Sequence, residues 1–345
     1  MAVFHSGVKG KRKPIAIKVI PIAKGITLAF FTPFLLFAGS PADYAGAETC
    51  AKCHPAESKL QSTSAHARAL ARAIPPQPGQ WAFGSGEQAI TFVSRPDPEH
   101  YREEGQTWYR KLNGYSLTPG AATPAGTTYR IFDPSGAILR CFSCHSTGPP
   151  ALAADDSILP HELGVRCEAC HGPAASHARS PEQVHPSNAG RLNAGQLNDF
   201  CGTCHRMPLG AKETIDFRDA WNVRHQPPSL AASACFRNSE GRLSCLTCHS
   251  PHAPLDRKLA AYDATCKGCH PSSRHKIPVA SRPCAGCHMP QVQPRPGLSF
   301  ANHRIAIYAT SDPLLAVDRE RLRPAFFRNS SSTRASFKVC ACCAP

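Results

Sequence analysis

Seven segments of this chain share one spacing, Cys-x-x-Cys-His: CAKCH at 50–54, CFSCH at 141–145, CEACH at 167–171, CGTCH at 201–205, CLTCH at 245–249, CKGCH at 266–270 and CAGCH at 284–288. Random placement of 18 cysteines and 17 histidines in 345 residues gives about 0.05 copies, so the repeats are not accidental. The spacing is that of covalent haem c attachment: both thiols add to the vinyl groups as thioethers, and the adjoining imidazole ligates the iron. Haem-attaching cysteines are then Cys50, Cys53, Cys141, Cys144, Cys167, Cys170, Cys201, Cys204, Cys245, Cys248, Cys266, Cys269, Cys284 and Cys287. Proximal ligands are His54, His145, His171, His205, His249, His270 and His288. Structural zinc, the rival reading of repeated CxxC pairs, has no use for a histidine directly after each second cysteine. An eighth pair, Cys340 and Cys343, is followed by Ala344 and carries no haem expectation.

This pattern limits the fold. Seven porphyrins supply most of the apolar surface that folding can bury, and 33 Pro with 24 Gly disfavour long helices and sheets. Without haem no stable core is expected. The proximal histidines are separated by 91, 26, 34, 44, 21 and 18 residues. The long first gap marks a haem-free insert at about 75–138, where AITFVSR, TWYRKLNGYSL and TTYRIFD alternate polar and apolar residues, as short β-hairpins do. ESKLQSTSAHARALARA (57–73) has helical propensity. The last stretch, 306–345, reads as a poorly ordered polar tail.

The N-terminus places the chemistry. Lys9, Lys11, Arg12, Lys13, Lys18 and Lys24 precede an apolar run from Ile26 to Ala38 and then small residues, Ala45-Gly46-Ala47. This is the order of a secretory signal over 1–47, with cleavage after Ala47 or Ala42, and retention as an uncleaved membrane anchor is the alternative. Export to the periplasm or beyond fits covalent haem. Fourteen of 18 cysteines are then thioethers, so the chain is not a disulfide scaffold. Cys235, Cys340, Cys342 and Cys343 are left over.

The net charge of +15 does not indicate nucleic-acid binding. Residues 1–47 hold six of the 39 basic groups and one of the 24 acids, leaving 33 and 23, a net of +10. Fourteen propionates and seven ferric centres then bring the oxidised protein to about +3, and the reduced protein to about −4. The basic excess is a counter-charge for propionates.

Function turns on the sixth ligand. An iron with two protein ligands carries electrons, and one with an open side binds and transforms a small molecule. Besides Met1 only Met207 and Met289 exist, each within two residues of a proximal histidine. Histidine is the available partner. His66, His177, His252 and His303 are the first candidates for the distal side, and His161, His225 and His275 the second. His100, in the insert, and His185, among loop-forming residues, rank lower.

GVRCEACHGPAASH (164–177), SACFRNSEGRLSCLTCHSPH (233–252) and CAGCHMP followed by NHRI (284–305) resemble a known group. It is the multihaem cytochromes that include the nitrifier tetrahaem cytochrome, hydroxylamine oxidoreductase and pentahaem nitrite reductase. The GSG…LTPG stretch is also similar to the haem-free segment of related exported cytochromes. The resemblance spans roughly 48–305 and implies a multihaem cytochrome c domain: mainly short α-helices and loops around seven covalently bound haems, with a small β-hairpin insert. Those haems would stack as a wire. No CxxCK, the catalytic signature of many such nitrite reductases, occurs here, and neither Tyr262 nor Tyr308 has the context of the cross-linking tyrosine of hydroxylamine oxidoreductase.

The expected function is single-electron transfer between redox protein partners or membrane quinol-linked donors, with no catalytic residue assigned. The alternative is an oxidoreductase acting on a small inorganic nitrogen or sulfur species at one five-coordinate haem.

Overall fold

The computed structural model describes residues 40–119, 130–206, 214–271, 275, 282–309 and 311–317. The secretory signal, Met207 and the Cys340–Cys343 pair lie outside them, apart from the signal's last residues. Among the described residues no helix is long and apolar enough to cross a membrane.

Four of the motifs lie wholly on short helices, Ile138–His145, Cys167–His171, Ala194–His205 and Cys284–His288, while Cys245–Cys248 and Asp263–Cys269 end just before their histidines and Ala47–Ala51 ends before Cys53 and His54. In those four the geometry follows from the helical repeat. Cysteines at i and i+3 and a histidine at i+4 share one face of a single turn. The longest of these helices, Ala194–His205, is held at its start by a capping box between Asn193 and Gln196.

The structure carries more β-sheet than the expected small hairpin insert. Six antiparallel strands form one sheet: β1 (Leu70–Arg72), β2 (Trp81–Phe83), β3 (Ala89–Asp97), β4 (His100–Tyr109), β5 (Gly114–Leu117) and β6 (Ile131–Phe132). They lie in the order β1-β2-β3-β4-β5, with β6 also on β4. The alternation in β4 is complete: Tyr101, Glu103, Gly105, Thr107 and Tyr109 are buried while their neighbours are not. The β4–β5 turn runs through Asn113 in the left-handed region, as TWYRKLNGYSL suggests.

The expected helix over 57–73 is shorter. It covers Pro55–Ser62, and the chain then turns into β1. Ser62 and Thr63 donate their hydroxyls to the Lys59 and Leu60 carbonyls (2.8 and 2.7 Å), closing the last helical turn. β1 pairs with β2, so tertiary pairing overrides helical propensity at Leu70–Arg72.

The sheet packs on a haem-motif helix. Leu70, Trp81, Phe83, Val93, Tyr101 and Ile158 form one buried cluster with Ile138 and Phe142 of the helix Ile138–His145. Ile138 and Phe142, four residues apart, face the sheet, while Cys141 and His145, also four apart, define a second stripe. A second dock joins the sheet to the hairpin Gln291–Arg295/Leu298–Ala301, where Gln88 Nε2 donates to the Ser299 carbonyl (2.6 Å).

The expected tail begins too early. Tyr308–Ala309 pairs with Asp312–Ala316, and Asn302 Nδ2 donates to the Pro313 carbonyl (3.2 Å). Residues from 318 onward lie outside the described residues.

Candidate metal centres

Four proximal histidines face four other histidines across a constant gap. Ring centres are 6.4 Å apart for His54 and His177, 6.0 Å for His66 and His205, 6.0 Å for His171 and His252, and 6.2 Å for His249 and His303. A metal–imidazole bond of about 2 Å, with roughly 1.1 Å from ring centre to nitrogen, requires about 6.2 Å for imidazole–metal–imidazole. The four separations match that value. Interplanar angles of 26° to 69° are all compatible, because each ring turns freely about the axis through the metal.

The other side of several rings is held by backbone. Nδ1 of His145 bonds to the Ala69 carbonyl (2.9 Å), His171 to Ser187 (2.8 Å), His177 to Val184 (2.7 Å), His288 to Ala306 (2.8 Å) and His303 to Ala301 (3.0 Å). His66 bonds to the Pro251 carbonyl. A carbonyl on Nδ1 leaves Nε2 free for a metal and fixes the ring's orientation. Burial lowers the pKa values of His66, His145, His205 and His249, and that of His303 to about 4. All five are thus neutral near pH 7, as ligands must be.

The thiols show how the motifs neighbour one another. Side chains of Cys50 and Cys167, Cys144 and Cys204, Cys201 and Cys245, and Cys266 and Cys284 are neighbours. Motif 1 therefore adjoins motif 3, motif 4 adjoins both 2 and 5, and motif 6 adjoins 7.

The second-tier histidines are placed differently. His161 packs on Tyr44, ring centres 5.1 Å apart. Among the described residues, neither His225 nor His275 makes a ring contact with a proximal histidine, and Nδ1 of His225 is buried without a hydrogen-bond partner. His145 meets the edge of Phe83 at 5.3 Å. His100 is on the sheet, bonded to Asp97 (2.8 Å).

Several known proteins are similar to this chain. The family described as cytochrome c554 and c-prime matches residues 125–172, which contain motifs 2 and 3. The solved outer cell wall cytochrome OcwA superposes with a TM-score of 0.52 over 78% of this chain and 81% of its own, at 15% identity. This is the fold of a multihaem c-type cytochrome. Haem c is its cofactor. The multiheme cytochrome MtrA of Shewanella baltica (strain OS185) is 25% identical to the cytochrome over 150 residues, 40% of this chain, and the match spans 39% of MtrA. The undecaheme cytochrome from the S-layer of Carboxydothermus ferrireducens is 17% identical, with a TM-score of 0.44 over 73% of this chain and 52% of its own. These likenesses reach the broad group and not the hydroxylamine oxidoreductase or nitrite reductase subclass.

Two phrases of the cytochrome that carried the resemblance meet at Ser233. Its hydroxyl accepts the Ile305 N–H (2.8 Å) and lies 3.1 Å from the His303 carbonyl. Ser233 is buried and joins SACFRNSEG to NHRI. Ser233→Ala leaves a donor unpaired and is expected to cost about 1–3 kcal/mol, read from the urea midpoint of the holoprotein. An unchanged midpoint would remove Ser233 from this role.

Reading only the cysteines and histidines overlooks two residues inside the motifs. Phe142 and Glu168 occupy x positions of CFSCH and CEACH, and both are buried. They are the only aromatic and the only acidic residue at the fourteen x positions, and this was a legible signal.

Proposed function

We propose that the cytochrome is an exported heptahaem electron carrier, passing single electrons between redox protein partners or from quinol-linked donors. The observation that carries this reading is the set of four histidine pairs with ring centres 6.0–6.4 Å apart. On this reading His54/His177, His205/His66, His171/His252 and His249/His303 are the axial pairs of haems 1, 4, 3 and 5. Iron closed on both sides exchanges electrons without binding substrate. Haem c supplies the redox couple, and the chain's residues set its ligation, burial and hydrogen bonding, hence its potential.

The neighbouring thiols group the motifs as 1 with 3, 4 with 2 and 5, and 6 with 7, which supports short transfer steps within each group. Export is supported by the leader sequence and by the likeness to an outer cell wall cytochrome. Haems 2, 6 and 7 take distal ligands from the remaining histidines, with His161, His225 and His275 the candidates.

EPR of the oxidised protein, with and without nitrite or hydroxylamine, tests the reading. The expected spectrum is wholly low-spin and indifferent to both ligands. A high-spin signal that shifts on addition would favour catalysis at one open haem. The intact mass should equal the mature chain plus seven haems, and a smaller number would refute the cofactor count.

A further inference from the structure

One exposed loop holds imidazoles that face two different gaps. The Val184 carbonyl bonds Nδ1 of His177, which faces His54. Three residues on, the Ser187 carbonyl bonds Nδ1 of His171, which faces His252. We propose that the segment Val184–Ser187 is a positioning element that sets the potentials of haems 1 and 3 together. The proposal rests on the axial pairs assigned above.

The loop is built as one unit. The Val184 N–H donates to the Ser180 carbonyl (3.0 Å) and the Ser187 N–H donates back to the His171 carbonyl (3.0 Å). Ser187 thus grips the His171 residue at both backbone and ring. Pro186 fixes one torsion between the two acceptors. A shift of the segment changes both Nδ1 bonds at once.

The chemistry follows from the acceptors. A carbonyl on Nδ1–H increases the electron donation of the imidazole, stabilises ferric iron and lowers the potential. Motifs 1 and 3 are neighbours, since the Cys50 and Cys167 side chains adjoin and the Glu168 carboxylate accepts the Ala45 and Gly46 N–H groups. A shared clamp moves the potentials of haems 1 and 3 in the same direction, so the difference that drives transfer between them varies less than either value. A similar arrangement recurs at His66–Ala69. There the Ala69 carbonyl holds His145 of haem 2 while His66 faces His205 of haem 4, and Cys144 adjoins Cys204.

The test is Pro186→Gly in the full holoprotein, with Pro186→Ala as a milder variant, followed by potentiometric titration monitored by EPR. His177→Met and His252→Met mark the signals of haems 1 and 3, because methionine ligation raises the potential of the iron concerned. Pro186→Gly should raise both marked potentials and leave the other signals in place, with Pro186→Ala giving the same pattern at smaller amplitude. Movement of only one marked signal, of neither, or of all signals would overturn the proposal. If the two methionine variants move no signal, the axial assignment itself has failed.

Discussion

Phe142→Ala is expected to destabilise the holoprotein by about 3–5 kcal/mol. The Phe142 ring is fully buried and meets three aromatic edges, with centroids 5.1 Å from Trp81, 5.1 Å from Phe83 and 6.5 Å from Tyr101. Such edge-to-face contacts add to the burial of the ring itself. Truncation opens a cavity between the sheet and the helix Ile138–His145, where the surroundings are strands that cannot collapse without losing register. The vacated space borders Phe83, whose ring touches His145. The damage should therefore also appear at the iron of haem 2, as a broadened low-spin EPR signal. Phe142→Leu keeps most of the volume and should cost less, under about 1.5 kcal/mol. The check is a urea titration of the holoproteins, with visible absorbance and tryptophan fluorescence as separate probes. If Phe142→Ala costs less than Phe142→Leu is expected to, the sheet does not support this motif.

That result bears on why the cytochrome has a haem-free insert. The strands are tied to a haem motif through Phe142 and Ile138 and to the hairpin at 291–301 through Gln88. Alternation through TWYRKLNGYSL announces β4, because a half-buried strand writes its two faces into the sequence, whereas β3 buries the adjacent Phe92 and Val93. The alternation does not announce that the strands join one six-stranded sheet, nor that β1 begins at Leu70 inside a helix-favouring stretch. Strand partners are set by long-range pairing, and local propensity is silent about them.

The histidines divide along similar lines. His66, His177, His252 and His303 lie in phrases whose spacing to a motif is suggestive, and each faces a proximal ring. Their assignment to particular rings was not legible: His66 faces His205, 139 residues away in sequence. The backbone beside His66 is also fixed from afar: Gly164, with φ of +78°, lies against the Ala67 carbonyl where a Cβ would stand 2.0 Å away. The carbonyl clamps on Nδ1 were invisible for the same reason. Any residue type can supply a carbonyl, so the sequence carries no mark of them.

Glu168→Ala should have an effect as large as that of Phe142→Ala, by electrostatics instead of packing. The Glu168 carboxylate is buried and accepts three backbone N–H groups, from Ala45 (2.8 Å), Gly46 (2.8 Å) and Ala174 (2.8 Å). A buried carboxylate persists only when its lone pairs are satisfied, and here the protein satisfies them with main-chain donors alone. With the leader cleaved after Ala42, Ala45 and Gly46 stay in the mature chain and lead into the helix of motif 1, while Glu168 sits within motif 3, so one side chain ties the first haem segment to the third. Alanine leaves three donors without an acceptor, at an expected cost of about 3–5 kcal/mol. Glu168→Gln keeps the shape and discriminates the causes. Its single oxygen can serve the two donors that share Oε1, but its amide nitrogen must face the Gly46 N–H, donor against donor. Its cost should be smaller, about 1–3 kcal/mol. Urea midpoints of the two holoproteins should thus fall in the order Gln above Ala, both below the parent. Freeing residues 44–54 also loosens the gap between His54 and His177, so the EPR signal marked by His177→Met should broaden in Glu168→Ala. Equal midpoints for parent and Glu168→Gln would mean that water or a shifted backbone replaces the third bond. Equal midpoints for parent and Glu168→Ala would mean that motif 1 is held in place by its haem and not by the carboxylate.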